Sequence, residues 1–228
     1  MSFKFTTART LLDRIFDLAY FHEEDGAVAI PYHRVDGRNR LIVIVGENAS
    51  GKSFFRRIVQ SVCRKNKIEC IPISAEGRRQ IAYSPWLTFV YGDESYEATG
   101  VNSTNTVLSG IKTCRGREEK HVIFWDEPDL GLSDSWAAGV GQQLCKFAQD
   151  LPEKTVAAFV VSHNRALVRE LLPAEPFYLH LGVDTAEAPA TLQQWIDKPC
   201  TPRDPELLLE MGHKRFQMIQ HILDLAKP

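Results

Sequence analysis

Apolar positions recur at helical spacing through residues 7–21, where Leu11, Leu12, Ile15, Phe16 and Leu18 line one side of TARTLLDRIFDLAYF. A threonine stands ready to cap it, so an amphipathic helix is expected there. Residues 26–35 read as a short strand and turn, closed by Asp36-Gly37. The pattern then changes to Leu41-Ile42-Val43-Ile44-Val45, an unbroken apolar run with four β-branched residues. Such a run predicts a strand buried on both faces of a parallel sheet. A helix is expected over 52–65. Strand patterns follow at 68–73 (IECIPI), 86–92 (WLTFVYG), 121–125 (HVIFW) and 155–161 (TVAAFVV), with Phe177–Leu181 as an edge strand. Helical patterns separate them at 101–114, 134–149 and 164–172. A proline-bearing linker near 197–205 (DKPCTPRDP) leads to a last helix over 205–226. Strands alternating with helices predict an α/β fold with a mostly parallel sheet flanked by helices. The expected division is one domain over 1–196, then a linker and amphipathic helix over 197–228.

Composition narrows this picture only a little. The 228 residues are 44% hydrophobic and 25% charged, as in an ordinary globular protein that buries a full core without staples. A net charge of -2 gives no global pull toward nucleic acid or an acidic membrane. The five cysteines are scattered and form no CxxC pair, so reduced, mostly buried thiols are expected. No run of about 18 apolar residues and no signal-peptide pattern is present, so a cytoplasmic protein without membrane insertion is expected.

The candidate chemistry begins where the buried strand ends. Gly46-Glu47-Asn48-Ala49-Ser50-Gly51-Lys52-Ser53 matches G-x-x-x-x-G-K-[ST] in full, with Phe54 next. Glycines let the backbone curl so that its N–H groups face phosphate oxygens. The following helix adds its positive N-terminal end. Lys52 then reaches the β and γ phosphates, and the Ser53 hydroxyl sits on Mg²⁺. The expected ligands are ATP and Mg²⁺. A second apolar strand, His121 to Trp125, ends in Asp126-Glu127. Asp126 is assigned to the metal and Glu127 to the general base that takes a proton from water.

The run Asp126-Glu127-Pro128-Asp129-Leu130-Gly131-Leu132-Ser133 resembles the ABC-type ATPases, in which D-E-P opens a loop ending in Leu-Asp. Here Ser133 stands at that Asp, with Asp134 next. The resemblance covers about residues 40–182 and is nearest to RecF/SMC-like and related free-standing members. It implies a P-loop NTPase fold and a dimer of two ATP-binding heads, as a homodimer or an ABC-type heterodimer. It also implies a switch histidine after the next strand, which is His163 in Ser162-His163-Asn164. The 36 residues from Glu127 to His163 accommodate one helix and one strand, placing His163 beside the acids.

The same family closes over ATP with a helix N-terminus from the partner subunit. Two segments are candidates. Thr99, Gly100 and Asn102 lie at the start of a helical pattern, and Thr99 is 27 residues ahead of Asp126. Ser109-Gly110 lies only 17 residues ahead, too few for a helix, a charged loop and a strand. The first is preferred. Only 53 residues separate Gly46 from Thr99, which leaves a reduced helical arm. Gln80 lies in that interval and is assigned to the metal by resemblance. Tyr20, Phe21 and Tyr32 are available to stack on adenine, without a choice among them.

For the downstream role, three readings stand. One is an ATP-driven dimer in a DNA-related process such as repair, recombination or anti-phage defence. It is favoured by the short arm and by twelve Lys/Arg against seven Asp/Glu over residues 52–120. The second is a regulatory ATPase subunit controlling an effector protein such as a nuclease. The C-terminal helix, with Leu207, Leu208, Met211, Phe216, Ile219, Ile222 and Leu223 on one face, either packs at home or docks such a partner. The third is the ATP-binding subunit of a membrane transporter, against which the short arm argues. A non-ABC P-loop enzyme such as a small-molecule kinase usually lacks the D-E-P run followed by Ser-His.

Overall fold

The computed structural model describes residues 7–24, 27–74, 98–183 and 186–225. In chain order the elements are α1 (Ala8–Phe16), β1 (Glu23–Glu24), β2 (Ala27–Val28), β3 (Tyr32–Val35), β4 (Leu41–Val45), α2 (Lys52–Lys65) and β5 (Glu69–Ser74). Then come α3 (Thr99–Arg115), β6 (His121–Asp126), α4 (Asp134–Gln149), β7 (Thr155–Val161) and α5 (Arg165–Leu171). The last are β8 (Phe177–Leu181), α6 (Leu192–Asp197) and α7 (Pro205–Leu225). Gln80, Arg78, Arg79 and the strand expected at 86–92 lie outside the described residues.

Six strands form one sheet in the order β3-β8-β4-β7-β6-β5. All neighbours pair in parallel except β3, which runs antiparallel to β8. Every residue of β4, β7 and β8 is buried, which is what continuous apolar runs require in a sheet covered on both sides. Alternation splits each strand between two cores. Ile42, Ile44, Phe124 and Phe159 face α1 and α2, while Val43, Trp125 and Val160 face α3, α4 and α5. Each fully buried Ile, Val or Phe contributes about 1.5–3 kcal/mol of transfer free energy.

One strand expectation needs correcting. Phe177–Leu181 is not an edge. It is parallel to β4 on one side and is covered by β3 on the other. The edges are β3 and β5. Tyr32-His33-Arg34-Val35, within the short strand and turn expected over 26–35, form one edge by pairing antiparallel with β8. The first helix is also shorter than its pattern. Thr7 and Thr10 close a reciprocal cap at its start, and Asp17 ends it after Phe16. A short 3-10 turn then carries Ala19–Phe21.

The final helix divides in two. Ile219 and Ile222 are buried in the same core as α1 and α2, while Leu207, Leu208, Leu209, Met211 and Phe216 are exposed. No helix among the described residues is long and apolar enough to cross a membrane. All five cysteines are free, and Cys200 is exposed.

Candidate functional site

Parallel pairing brings three strand ends to one edge of the sheet. Ile44 of β4 pairs with Val161 of β7, and Val161 pairs with Asp126 of β6. The chain leaves each strand there, at Gly46, Ser162 and Glu127. Crevices outside the carboxyl ends of parallel strands are where ligands bind in open α/β sheets. β7 stands between β4 and β6, so His163 emerges beside the acids, as its spacing predicts, and also next to the glycine-rich loop, which the spacing does not specify.

The loop 46–53 folds tightly because three of its residues take positive φ: Gly46 (148°), Ala49 (59°) and Gly51 (96°). Gly46 also has no room for a side chain, since a Cβ there would lie 2.5 Å from the Leu181 carbonyl oxygen. No side chain caps α2, so its first N–H groups are left for another acceptor. The loop wraps around Lys52. Its Nζ donates to the carbonyl oxygens of Gly46 (3.1 Å) and Glu47 (2.7 Å) and to Ser50 Oγ (3.3 Å). Burial lowers the Lys52 pKa to about 8, against the raising pull of Glu127, Asp126 and Glu47. An anion in the cleft restores the charge that burial penalises.

Asp126 ends β6 with its carboxylate largely shielded. Arg56, one turn beyond Lys52 on α2, approaches Asp126 Oδ2 with Nε at 3.4 Å and donates to Ser74 Oγ at 3.0 Å. Spacing i, i+4 puts Lys52 and Arg56 on the same helix face, a signal present in the sequence and missed there. Glu127 follows with φ of 55°, a left-handed conformation uncommon for a side-chain residue. The strain is held by the N–H of Glu127 donating to Val161 O at 2.9 Å. This turn sends the Glu127 carboxylate toward His163, whose Nε2 lies 3.8 Å from Glu127 Oε1.

His163 is fixed from both sides. Ser162 Oγ donates to half-buried Asp129 (2.9 Å) and accepts from the Asn164 N–H (2.9 Å). Asn164 caps α5 by accepting from the N–H groups of Ala166 and Leu167. Its side-chain amide also donates to Asp134 at 3.2 Å. Burial raises the Asp129 carboxyl above the usual range, partly offset by the Ser162 hydroxyl. Burial, and then the Lys52 charge, lowers the His163 pKa, with Glu127 and Glu47 opposing. A lowered value favours the neutral ring, which both donates and accepts.

These groups share one cleft of about 440 Å³. Asn48, Ala49, Ser50, Gly51, Lys52, Ser53 and Phe54 line it, together with Asp126, Glu127 and His163. The volume falls in the ordinary range for small-molecule sites. Gly46 and Glu47 open instead onto a neighbouring cleft that shares His163. No group of three or more His, Cys, Asp or Glu that would cage a metal occurs among the described residues. The Ser53 hydroxyl and Asp126 carboxylate still fit Mg²⁺, which prefers oxygen ligands and takes one or two protein groups plus substrate phosphates.

Thr99, Gly100 and Asn102 are not brought to this cleft. They open α3 against the loop after β6. A Cβ on Gly100 would lie 2.7 Å from the Gly131 carbonyl oxygen, and one on Gly131 would lie 2.9 Å from Thr99 Cβ. Asn102 is fully buried, and neither of its side-chain polar atoms has a hydrogen-bond partner among the described residues. Only Thr99 faces outward. Ser109-Gly110 lies in the middle of α3, with Gly110 packed on Ile73 and Trp125, so it starts no helix. Among the aromatic candidates, Tyr32 stacks on Phe16 at 4.0 Å and Phe21 is buried. Tyr20 instead meets Phe54 edge-on at 5.1 Å beside the cleft.

Part of the basic excess of residues 52–120 is paired with acids of the same chain, buried at Arg56 and at the surface for Arg115 and Arg117. Arg56 is buried on Asp126, Arg117 pairs with Glu69, and Arg115 lies 3.9 Å from Asp150. Comparison with protein-family models, with curated proteins and with solved structures finds no match to this chain.

Proposed function

We propose that the chain is an ATP-binding and ATP-hydrolysing P-loop ATPase of the ABC type, working as a dimer closed by ATP. The observation that carries this reading is the convergence of Lys52, Ser53, Asp126, Glu127 and His163 on one cleft of nucleotide size. Five residues drawn from three separate strand ends meet there, and these are the residues to which the motifs assign roles. The phosphates lie on loop 46–53, with Lys52 exchanging its three loop acceptors for phosphate oxygens. Ser53 and Asp126 would hold Mg²⁺, which neutralises charge on the transferring phosphoryl group. Glu127 takes the proton of the attacking water, and His163 holds the terminal phosphate and the Glu127 carboxylate in register. Tyr20 is the aromatic wall on the nucleoside side. Thr99 and the start of α3 would serve the site of a second subunit.

The target downstream is proposed with the same observations in view. A role in a DNA-related process rests on the short arm and the basic excess, and the internal pairing of Arg56, Arg115 and Arg117 takes part of that support away. The exposed apolar half of α7 favours the second reading, a regulatory ATPase subunit that docks an effector protein. A transporter subunit has no observation in its favour.

The test is the solution mass of Glu127→Gln with Mg-ATP, with and without double-stranded DNA. The variant is expected to bind ATP, accumulate as a dimer and hydrolyse about 10²- to 10⁴-fold more slowly. Wild-type hydrolysis would remove Glu127 as the base, and a monomer at saturating ATP would remove the dimer.

A further inference from the structure

The proposed site has a wall that its motifs do not announce. The second half of α7 runs along α2 with the cleft between them. Gly212 faces the glycine-rich loop, since a methyl placed on it would meet Ala49 Cβ at 3.8 Å. Residues three to four apart on a helix share a face. The stripe from Gly212 therefore continues through Arg215, Phe216, Ile219 and Leu223, and all of these line the cleft. Leu223 also lines a second cavity, of about 650 Å³, together with Tyr20, Phe54 and Arg57. The two cavities thus form one groove. It starts at the phosphate loop and runs down α2 toward Tyr20.

Two observations show that this wall is built in. Ile219 and Ile222 are buried at 8% and 6% exposure in the same core as α1 and α2. The Arg215 guanidinium donates to the Ala29 carbonyl oxygen, next to Ile30, whose side chain packs against Gly51. With the helix seated, the cleft still holds about 440 Å³, so the helix borders the space and does not fill it.

On the ATPase reading above, we infer that α7 is a nucleotide-binding element supplied by the same chain. Arg215 is the phosphate-facing cation of this wall. It stands one turn from the residue that faces Ala49, about 4.5 Å further along the helix axis. Phe216, Gln220 and Leu223 come next and border the nucleoside opposite Tyr20 and Phe54. The ligand class is a nucleoside polyphosphate laid lengthwise between α2 and α7, with affinity divided between a loop lysine and a helix arginine. Guanidinium suits this place because it keeps its charge in a partly buried setting and offers donors to carbonyl and phosphate oxygens together.

The experiment is titration of the full chain with a fluorescent ATP analogue in Mg²⁺, paired with a melting curve without nucleotide. Arg215→Ala is expected to weaken ATP binding at least about tenfold, the size of one charge-assisted hydrogen bond. Arg215→Lys should recover most of the loss, and the melting temperature should stay near wild type. Should Arg215→Ala fail to fold, Arg215→Gln, which removes the charge and keeps a donor, gives the same readout. Leu209→Ser, on the exposed half of α7, should bind as wild type. Unchanged or tighter ATP binding in Arg215→Ala overturns the inference and makes α7 a bystander or a cover. A loss that tracks a fall in melting temperature and is not rescued by Lys overturns it too, leaving Arg215 as an anchor. Lys52→Ala separates this from the underlying reading. If Lys52→Ala binds ATP normally, the phosphate-loop assignment falls and this inference falls with it; if it loses ATP while Arg215→Ala does not, only the α7 wall is wrong.

Discussion

Two helix starts in this molecule carry a similar local signal and are used in opposite ways. α2 opens at Gly51-Lys52, and α3 opens at Thr99-Gly100. At the first, the backbone turns outward through positive φ at Ala49 and Gly51, and a lysine, two acids and a histidine gather around it. At the second, glycine serves close packing: Gly100 and Gly131 interlock, and Asn102 points into the protein. Ser103 adds a hydrogen bond to Leu130 O at 2.7 Å. The difference teaches that a glycine before a helix is ambiguous until its neighbours are known. On the proposed reading, the α2 start is a half-site that already gathers its charged groups. The α3 start is a firmly seated face with one outward hydroxyl, Thr99, and needs a second molecule to give it a role.

The contrast can be broken most sharply at Lys52. Lys52→Ala should cost at least about a hundredfold in ATP affinity, because it removes a buried cation whose hydrogen-bond acceptors are otherwise two loop carbonyls and the Ser50 hydroxyl. Equilibrium binding measures this, and an affinity within threefold of wild type would sink the half-site reading. At the other helix start the damage should fall on stability. Gly131→Val combines a positive φ of 79° with a Cβ crowding Thr99, and should cost roughly 2–4 kcal/mol in chemical denaturation. A neutral effect would mean that the loop after β6 moves freely from α3.

A smaller effect should appear with pH. The lowered Lys52 pKa of about 8 predicts that ATP affinity falls as pH rises from about 7 to 9, and that Lys52→Ala shows no such slope. The unliganded fold responds in the opposite direction. The folded chain holds this proton less tightly than the unfolded chain does, so the Lys52 contribution to stability improves between about 8 and 10.5. A pH-independent affinity between about 7 and 9 would mean that Lys52 stays fully charged there. The smallest change is expected for Thr99→Val. It should leave ATP binding to a single chain intact and weaken only the ATP-dependent dimer, seen by comparing monomer affinity with dimer mass.

Much of the site was legible because its signals are local. Leu41–Val45 and the eight residues after it specify a buried strand, a tight turn and a helix start within one short stretch. Asp126-Glu127 and Ser162-His163 are each a strand end, and the length between them places the second strand beside the first. Long-range facts were not legible. Phe177–Leu181 became interior only because four polar-looking residues, Tyr32–Val35, came to pair with it across the sheet. The helix Leu192–Asp197 was missed in a stretch rich in Ala, Pro and Thr, and its Leu192 and Ile196 fill a gap beside α5. The face of α7 was readable, but its destination was set by a groove that α2 and Tyr20 create together.

The position of β4 in the sheet has a consequence for how the molecule is made. Its two neighbours, β7 and β8, are encoded more than a hundred residues downstream. During synthesis the strand that carries the glycine-rich loop therefore emerges early and waits. Closing so long a span is entropically slow, and an unpaired apolar strand is prone to stick to its own kind. A nascent chain halted before Thr155 would carry a finished motif on a strand with neither neighbour, so the folding of this protein is timed by its last third.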